Sequence, residues 1–309
     1  MPEPVRIPSH GETLAGLHFA GESTAFAGDH GRPCVVMAGG FGSTVDCGLE
    51  QFAERFATAG LDVLAFDYRG FGASTGEPRR LVSFRNQRED YRSAVIAARL
   101  LDGVDPERIV LWGTSYSGGH VLDVAADDAR IAAVIALTPA VDIAAQQVAA
   151  IGQTHPRAFL GLMGAGVRDA LAGLRGGEPV RIPIVAAPGE VAVMATPDAV
   201  TGMQAIAGPS WTNSVCAREM LTAALNRPAR RVPQIRCPIL FVLGDQDDVT
   251  PPDIAQRAAF TAPGRAEVRR YPTGHFGVYQ GEWFERGVAD TLFFLTRHLA
   301  AKDAPVAAG

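Results

Sequence analysis

Cysteine is scarce in this chain, net charge is small, and long apolar runs are missing. The four cysteines, Cys34, Cys47, Cys216 and Cys237, are scattered with no C-x-x-C spacing. Neither a disulfide framework nor a cysteine-based metal site is indicated. Cys34 and Cys237 flank apolar runs and read as buried, inert thiols. Twenty-eight basic residues against 33 acidic ones leave a formal net charge of −5, which offers no electrostatic footprint for nucleic acid. No run reaches the ~18 uncharged apolar residues of a membrane span. Met1-Pro-Glu-Pro-Val-Arg6 lacks the basic and apolar regions of a signal peptide. The expectation is a cytoplasmic protein with no membrane partner, no metal and no cofactor.

What is present is a large apolar fraction. The 309 residues are 47% hydrophobic and 20% charged, enough for a sizeable core in one α/β domain, with or without an insertion. Val5–Ile7 and Leu14–Phe19 read as edge strands. Cys34–Ala38, Ile109–Trp112, Ile131–Leu137 and Cys237–Leu243 read as buried or continuous apolar strands, and Val63–Phe66 and Glu267–Tyr271 as further strands. Between them lie helical patterns. Leu49, Phe52, Ala53, Phe56 and Ala57 share one helix face, and Gly60 fits its C-terminal cap. Helices are also expected over about Phe84–Leu101, at Val121–Ala126, near Asp253–Phe260, and in a final segment carrying Phe284, Val288, Leu292, Leu295 and Leu299.

Apolar strands alternating with helices imply a mostly parallel central sheet with helices on both faces. The rhythm breaks from about Val141 to Val232, where Gly, Ala, Pro and Met rise. The expected organisation is a core of residues 1–140 and 233–300, a cap inserted at 141–232, and a loose tail at 301–309. A cap inserted between two strands would sit over the strand ends, where such sheets hold ligands.

Chemistry concentrates at those ends. Gly113-Thr-Ser115-Tyr-Ser117-Gly118 joins a buried strand to a helix. A serine in so tight a turn, flanked by small residues, fits a nucleophile elbow, although Ser117 replaces the second glycine of G-x-S-x-G. The structural alternative is an ordinary strand–turn–helix junction. A serine hydroxyl needs a base, and the base needs a group to orient it. Of the seven histidines, only His275 occupies a glycine-flanked loop after a strand. His120 lies on the helix after the elbow. His10, His18, His30 and His298 are near termini or loops, and His155 in the cap is a weak pocket candidate. In Gly244-Asp-Gln-Asp247-Asp248-Val-Thr-Pro251, Asp247 is chosen by its spacing from Gly244 and Pro251, with Asp248 second. The order Ser115, Asp247, His275 is that of α/β hydrolases.

Acyl transfer also needs donors aimed at the developing oxyanion. The backbone N–H groups of Tyr116 and of Phe41, in Gly39-Gly40-Phe41-Gly42, are the candidates, and Gly40 beside them is a weak substrate-binding candidate. Asp67 and Arg69 read as a structural ion pair shaping the glycine-rich loop after Phe66. Trp211, Met163, Met194, Met203 and Phe159 either line an acyl pocket or form the cap's own core. Trp211-Thr-Asn213 could instead fix the cap.

Five segments in this order resemble the α/β-hydrolase superfamily over essentially the whole chain: Gly39–Gly42, Phe66–Ser74, Gly113–Gly118, Gly244–Pro251 and Gly274–Phe276. The similarity is greatest to bacterial esterase-like members of the dienelactone-hydrolase and serine-aminopeptidase type. In that family a His commonly precedes the oxyanion-loop glycine, a position held here by Gly39. The resemblance implies an α/β-hydrolase fold with Ser115 as nucleophile, Asp247 as acid and His275 as base. The expected function is cleavage of ester, thioester or lactone bonds in a small acyl-bearing substrate. The alternatives are a carbon–carbon hydrolase, perhydrolase or non-hydrolytic cyclase on the same fold, or an inactive ligand-binding homologue. A homodimer through an edge strand or the cap is compatible with the sequence.

Overall fold

The computed structural model describes residues 2–150, 155–264 and 266–299. The expected tail at 301–309 lies outside them. Strands β1 (Glu3–Ser9) and β2 (Glu12–Phe19) form a hairpin whose two-residue turn, His10-Gly11, has positive φ at both positions. Then come β3 (Arg32–Ala38), α1 (Leu49–Thr58), β4 (Asp62–Phe66), α2 (Phe84–Ala98), β5 (Val104–Thr114), α3 (Tyr116–Asp127) and β6 (Ile131–Leu137). The following segment holds α4 (Ile143–Ala149), α5 (Pro156–Leu174), β7 (Arg181–Ile182), α6 (Ala199–Ile206) and β8 (Val215–Cys216). The chain closes with β9 (Ile239–Gly244), α7 (Pro252–Ala259), β10 (Ala266–Tyr271) and α8 (Gly281–Leu299).

Eight strands make one sheet in the order β1-β2-β4-β3-β5-β6-β9-β10. From β4 to β10 every pairing is parallel; only β1 and β2 run against their neighbours. The inner parallel strands carry continuous apolar runs because both faces are covered there, whereas the edge strand β10, Ala-Glu-Val-Arg-Arg-Tyr, is charged and only partly buried. On one face Val35, Met37, Val110 and Trp112 meet α1 and α8 through Phe52, Phe56, Val288 and Phe294. On the other, Val36, Leu64, Ile109 and Leu111 meet α2 and α3 through Tyr91, Ala94, Val121 and Leu122. Phe52 is central to the first layer. Its ring lies 4.7 Å from Phe284, 5.1 Å from Trp112 and 5.8 Å from Tyr279. Truncating such a side chain to Ala costs about 3–5 kcal/mol.

Strand β5 is longer than its apolar run, because Val104–Arg108 extends it beside β3 through a register shift. Helix α2 stops at Ala98, short of Leu101. Strand β9 begins at Ile239, two residues after Cys237. Cys34 is buried as expected, but Cys237 is only partly so. Gly60, at φ 104°, follows α1 in the left-handed region its cap requires.

Between β6 and β9 the regular alternation is absent. The two-residue strands β7 and β8 pair antiparallel as a separate ribbon. Asn213 ties this segment together: its Oδ1 accepts from the amides of Ile184 and Val185, and its Nδ2 donates to the Val185 carbonyl. The segment's last turn, Pro228–Gln234, returns to α3, with Ala229 N–H on the Val141 carbonyl at 2.8 Å. No helix among the described residues is long and apolar enough to cross a membrane.

Candidate active site

Ser115 follows β5 directly and precedes α3, with φ 54° and ψ −118°. This conformation is costly for a residue bearing a Cβ, so the surroundings must hold it. They do so by close packing. A Cβ on Gly113 would lie 2.4 Å from the Ser117 carbonyl, one on Gly118 2.8 Å from Pro139 Cβ, and one on Gly119 2.3 Å from the Ala140 carbonyl. Ser117, which replaces a glycine of the common pattern, adds two bonds. Its hydroxyl donates to the Ala38 carbonyl at 2.7 Å and accepts from the Thr114 amide at 2.9 Å. It thereby joins the end of β3 to the elbow. Tyr91 does the same from α2, accepting from Ala38 N–H and donating to the Trp112 carbonyl.

The loops after β9 and β10 bring the other two groups to this point. His275 Nε2 lies 3.0 Å from Ser115 Oγ, and its Nδ1 lies 2.7 Å from Asp247 Oδ2. His275 and Asp247 are both buried, whereas Asp248 is exposed. Asp247 is well supplied with donors. Its Oδ1 accepts from the amides of Val249 and Thr250, and its Oδ2 also accepts from the Thr250 hydroxyl at 2.7 Å. The same hydroxyl is 3.0 Å from the carbonyl of Thr138, itself a buried residue at φ 40°. Sequence reasoning missed Thr250, although a threonine three residues after an aspartate in a turn is a recognisable local brace.

The expected oxyanion donors come from two loops that meet here. A Cβ on Gly40 would lie 3.0 Å from Ser115 Cβ and 3.5 Å from its Oγ, so only glycine lets the β3 loop approach so closely. Gly39, where a His is common in the resembling family, would set a Cβ 2.8 Å from Ser43 Cβ. The turn itself therefore demands glycine. Phe41 and Tyr116 pack edge to face at 5.1 Å. Tyr116 is the first residue of α3, so its N–H has no acceptor within the helix.

Asp67 and Arg69 do not pair as expected. Arg69 Nε donates instead to Asp90 Oδ1 on α2 at 2.8 Å, and Ser9 binds the same oxygen. Asp67 turns inward, accepting from the amides of Val45 and Ala73, and burial pushes its carboxyl up to about 6. The two residues sit in a tight loop that sends their side chains to different layers. His120 is fully buried; its Nε2 lies 3.0 Å from Gln87 Oε1, and burial pushes its pKa well below the usual imidazole range.

Among the expected pocket residues, Trp211, Met163 and Met194 are partly buried against the core, Met203 is buried, and Phe159 is 45% exposed. His155 is exposed at the N-terminal cap of α5 and has no hydrogen bond to Ser115, His275 or Asp247. A contact missed from sequence lies on α6. A Cβ on Gly202 would fall 2.3 Å from the Phe276 ring, which packs edge to face on His275 at 5.1 Å. Helix α6 thus backs the His275 loop. Chemically, the site offers a hydroxyl within hydrogen-bonding reach of an imidazole and a carboxylate that orients that imidazole.

Comparison with known proteins follows the same lines. The family model described as serine aminopeptidase, S33, matches residues 29–275. Quorum-quenching protein AidA of Acinetobacter baumannii is 42% identical over 272 residues, covering 87% of this chain and 88% of that protein. Thiohydrolase aneE of Aspergillus aculeatus is 29% identical over 305 residues, covering 94% of this chain and 92% of its own. The crystal structure of α/β hydrolase GrgF from Penicillium sp. sh18 matches with a TM-score of 0.80 at 25% identity, covering 97% of this chain and 99% of that one.

Proposed function

This chain belongs to the serine aminopeptidase, S33, family of α/β hydrolases, and from that premise we propose that it is a serine hydrolase. Its substrates are small carboxylic esters, thioesters or lactones. The observation that carries this reading is the unbroken chain of contacts from Ser115 Oγ through His275 to Asp247, at 3.0 and 2.7 Å. Ser115 attacks the acyl carbon while His275 Nε2 takes the hydroxyl proton. The amides of Phe41 and Tyr116 receive the charge that develops on the carbonyl oxygen. Asp247 holds the Nδ1–H tautomer and stabilises the imidazolium. His275 then returns the proton to the leaving oxygen or sulfur. A water molecule, deprotonated by the same imidazole, releases the acid and restores Ser115. The relative named a thiohydrolase supports including thioesters.

Residues 141–232 act in this scheme as a cap. The contacts of α6 with Phe276, and of Ile184 and Val215 with Gly42, bring this segment against both loops of the site. Turnover of p-nitrophenyl butyrate by the wild type and by Ser115→Ala tests the reading. The variant should lose about 10⁴-fold or more in kcat, leaving only residual catalysis. Equal rates in the two proteins would end the assignment.

A further inference from the structure

Tyr116 is fastened at three points. Its ring packs edge to face on Phe41 at 5.1 Å and on His120 at 4.8 Å, and its hydroxyl donates to Glu219 Oε1 at 2.9 Å. Glu219 does not belong to the elbow or to the sheet. It comes from the segment between β6 and β9, in the short turn Ala217–Leu221 that packs on α5. The carboxylate is 5% exposed and also accepts from the Phe84 amide at 3.3 Å and the Thr222 hydroxyl at 3.2 Å. It has no ion-pair partner among the described residues. A buried carboxylate held by hydrogen bonds, with Arg85 acting on it only through space, is a costly choice for filling space. Burial accordingly raises its affinity for a proton.

The placement gives that cost a purpose. Tyr116 contributes one of the two proposed oxyanion donors through its backbone, and its ring touches Phe41, which contributes the other. A tyrosine has only two side-chain torsions, so fixing the hydroxyl and the ring fixes where the amide can sit. The inserted segment also presses on the second loop, since Ile184 Cδ1 lies 2.6 Å from where a Cβ of Gly42 would be. The seating of this segment is therefore felt at both donors. We propose that Glu219 is a positioning residue: through the Tyr116 hydroxyl it couples residues 141–232 to the oxyanion donors, so that full rate requires this segment to be seated. This inference rests on the serine-hydrolase reading above.

The experiment compares wild type, Tyr116→Phe, Glu219→Leu, Glu219→Gln and the double variant Tyr116→Phe/Glu219→Leu on p-nitrophenyl butyrate. Active sites are counted by fluorophosphonate titration, so misfolded protein does not enter kcat. Tyr116→Phe keeps the ring and removes only the hydrogen bond. Both Tyr116→Phe and Glu219→Leu should lower kcat about 10- to 30-fold with KM within twofold, less than the 10²–10³ lost with a whole oxyanion donor. Glu219→Gln keeps an acceptor for the hydroxyl and should restore most of kcat. The double variant should be no worse than the poorer single one. Unchanged kcat per titrated site in Tyr116→Phe and in Glu219→Leu would overturn the coupling, as would strictly additive losses. Should Glu219→Leu fail to fold, Tyr116→Phe and Glu219→Gln decide alone. Wild type that neither turns over nor titrates would instead overturn the underlying reading, and the coupling with it.

Discussion

Replacing Asp247 by Asn separates orientation from packing at this site. The carboxylate accepts four donors: the amides of Val249 and Thr250, the Thr250 hydroxyl and His275 Nδ1. Asparagine keeps an oxygen for the two amides and turns an NH2 group toward Nδ1. The imidazole must then carry its proton on Nε2, where it can no longer accept from Ser115. The same change in an established Ser-His-Asp triad lowers kcat about 10⁴-fold, equivalent to about 5 kcal/mol of transition-state stabilisation. Stability should change little. The Thr250 hydroxyl loses one acceptor, but the Thr138 carbonyl stands 3.0 Å away to take its proton. The net cost is about 1 kcal/mol. The assay is p-nitrophenyl butyrate turnover beside a melting curve, with Asp248→Asn as the control, because Asp248 is exposed. Asp247→Asn retaining more than about a tenth of wild-type kcat, or Asp248→Asn falling with it, would refute the reasoning.

Three further outcomes follow from the same geometry. Gly40→Ala sets a Cβ 3.0 Å from Ser115 Cβ; displacing Ser115 by a few tenths of an ångström should cost up to about 10-fold in kcat, and an unchanged rate would mean the loop is not where the structure has it. Ser117→Ala removes bonds to the Ala38 carbonyl and the Thr114 amide; losing about 2–4 kcal/mol should lower Tm by on the order of 5 °C, and an unaltered melting curve would dismiss the tie. Asp67 has its carboxyl raised to about 6 from 3.8 by burial, so the folded chain holds that proton more tightly than the unfolded one. Its contribution to stability is present below pH 3.8 and is lost as pH rises to about 6. Denaturant titrations of wild type and Asp67→Asn at pH 4 and pH 7.5 should therefore move in favour of the variant by up to about 3 kcal/mol. No such movement would mean that Asp67 is ionised without penalty.

The parts of this molecule that could be read from sequence are those governed by local periodicity. The inner parallel strands contain apolar runs, and α1 shows its buried face directly in Leu49, Phe52, Ala53, Phe56 and Ala57. Ser115, Asp247 and His275 could be singled out because each sits just past a strand, apolar for the first two and mixed for the third, at one edge of the sheet. The elbow was legible despite Ser117, because the steric demand falls on Gly113, Gly118 and Gly119. Partner choice in loops was not legible. Arg69 takes Asp90, from 21 residues away, rather than Asp67. The region between β6 and β9 gave least, since its two-residue strands carry no period and its contacts join residues far apart in the chain. The Glu219–Tyr116 bond spans 103 residues, and no pattern in either stretch announces it.

The most direct measurement is the mass of the intact protein after a fluorophosphonate, which reacts with an activated serine. A single adduct mapping to Ser115, absent from Ser115→Ala and slowed at least about 10³-fold in His275→Ala, is the predicted result. No adduct, or one on another residue while Ser115 stays unmodified, would contradict a nucleophile activated by His275.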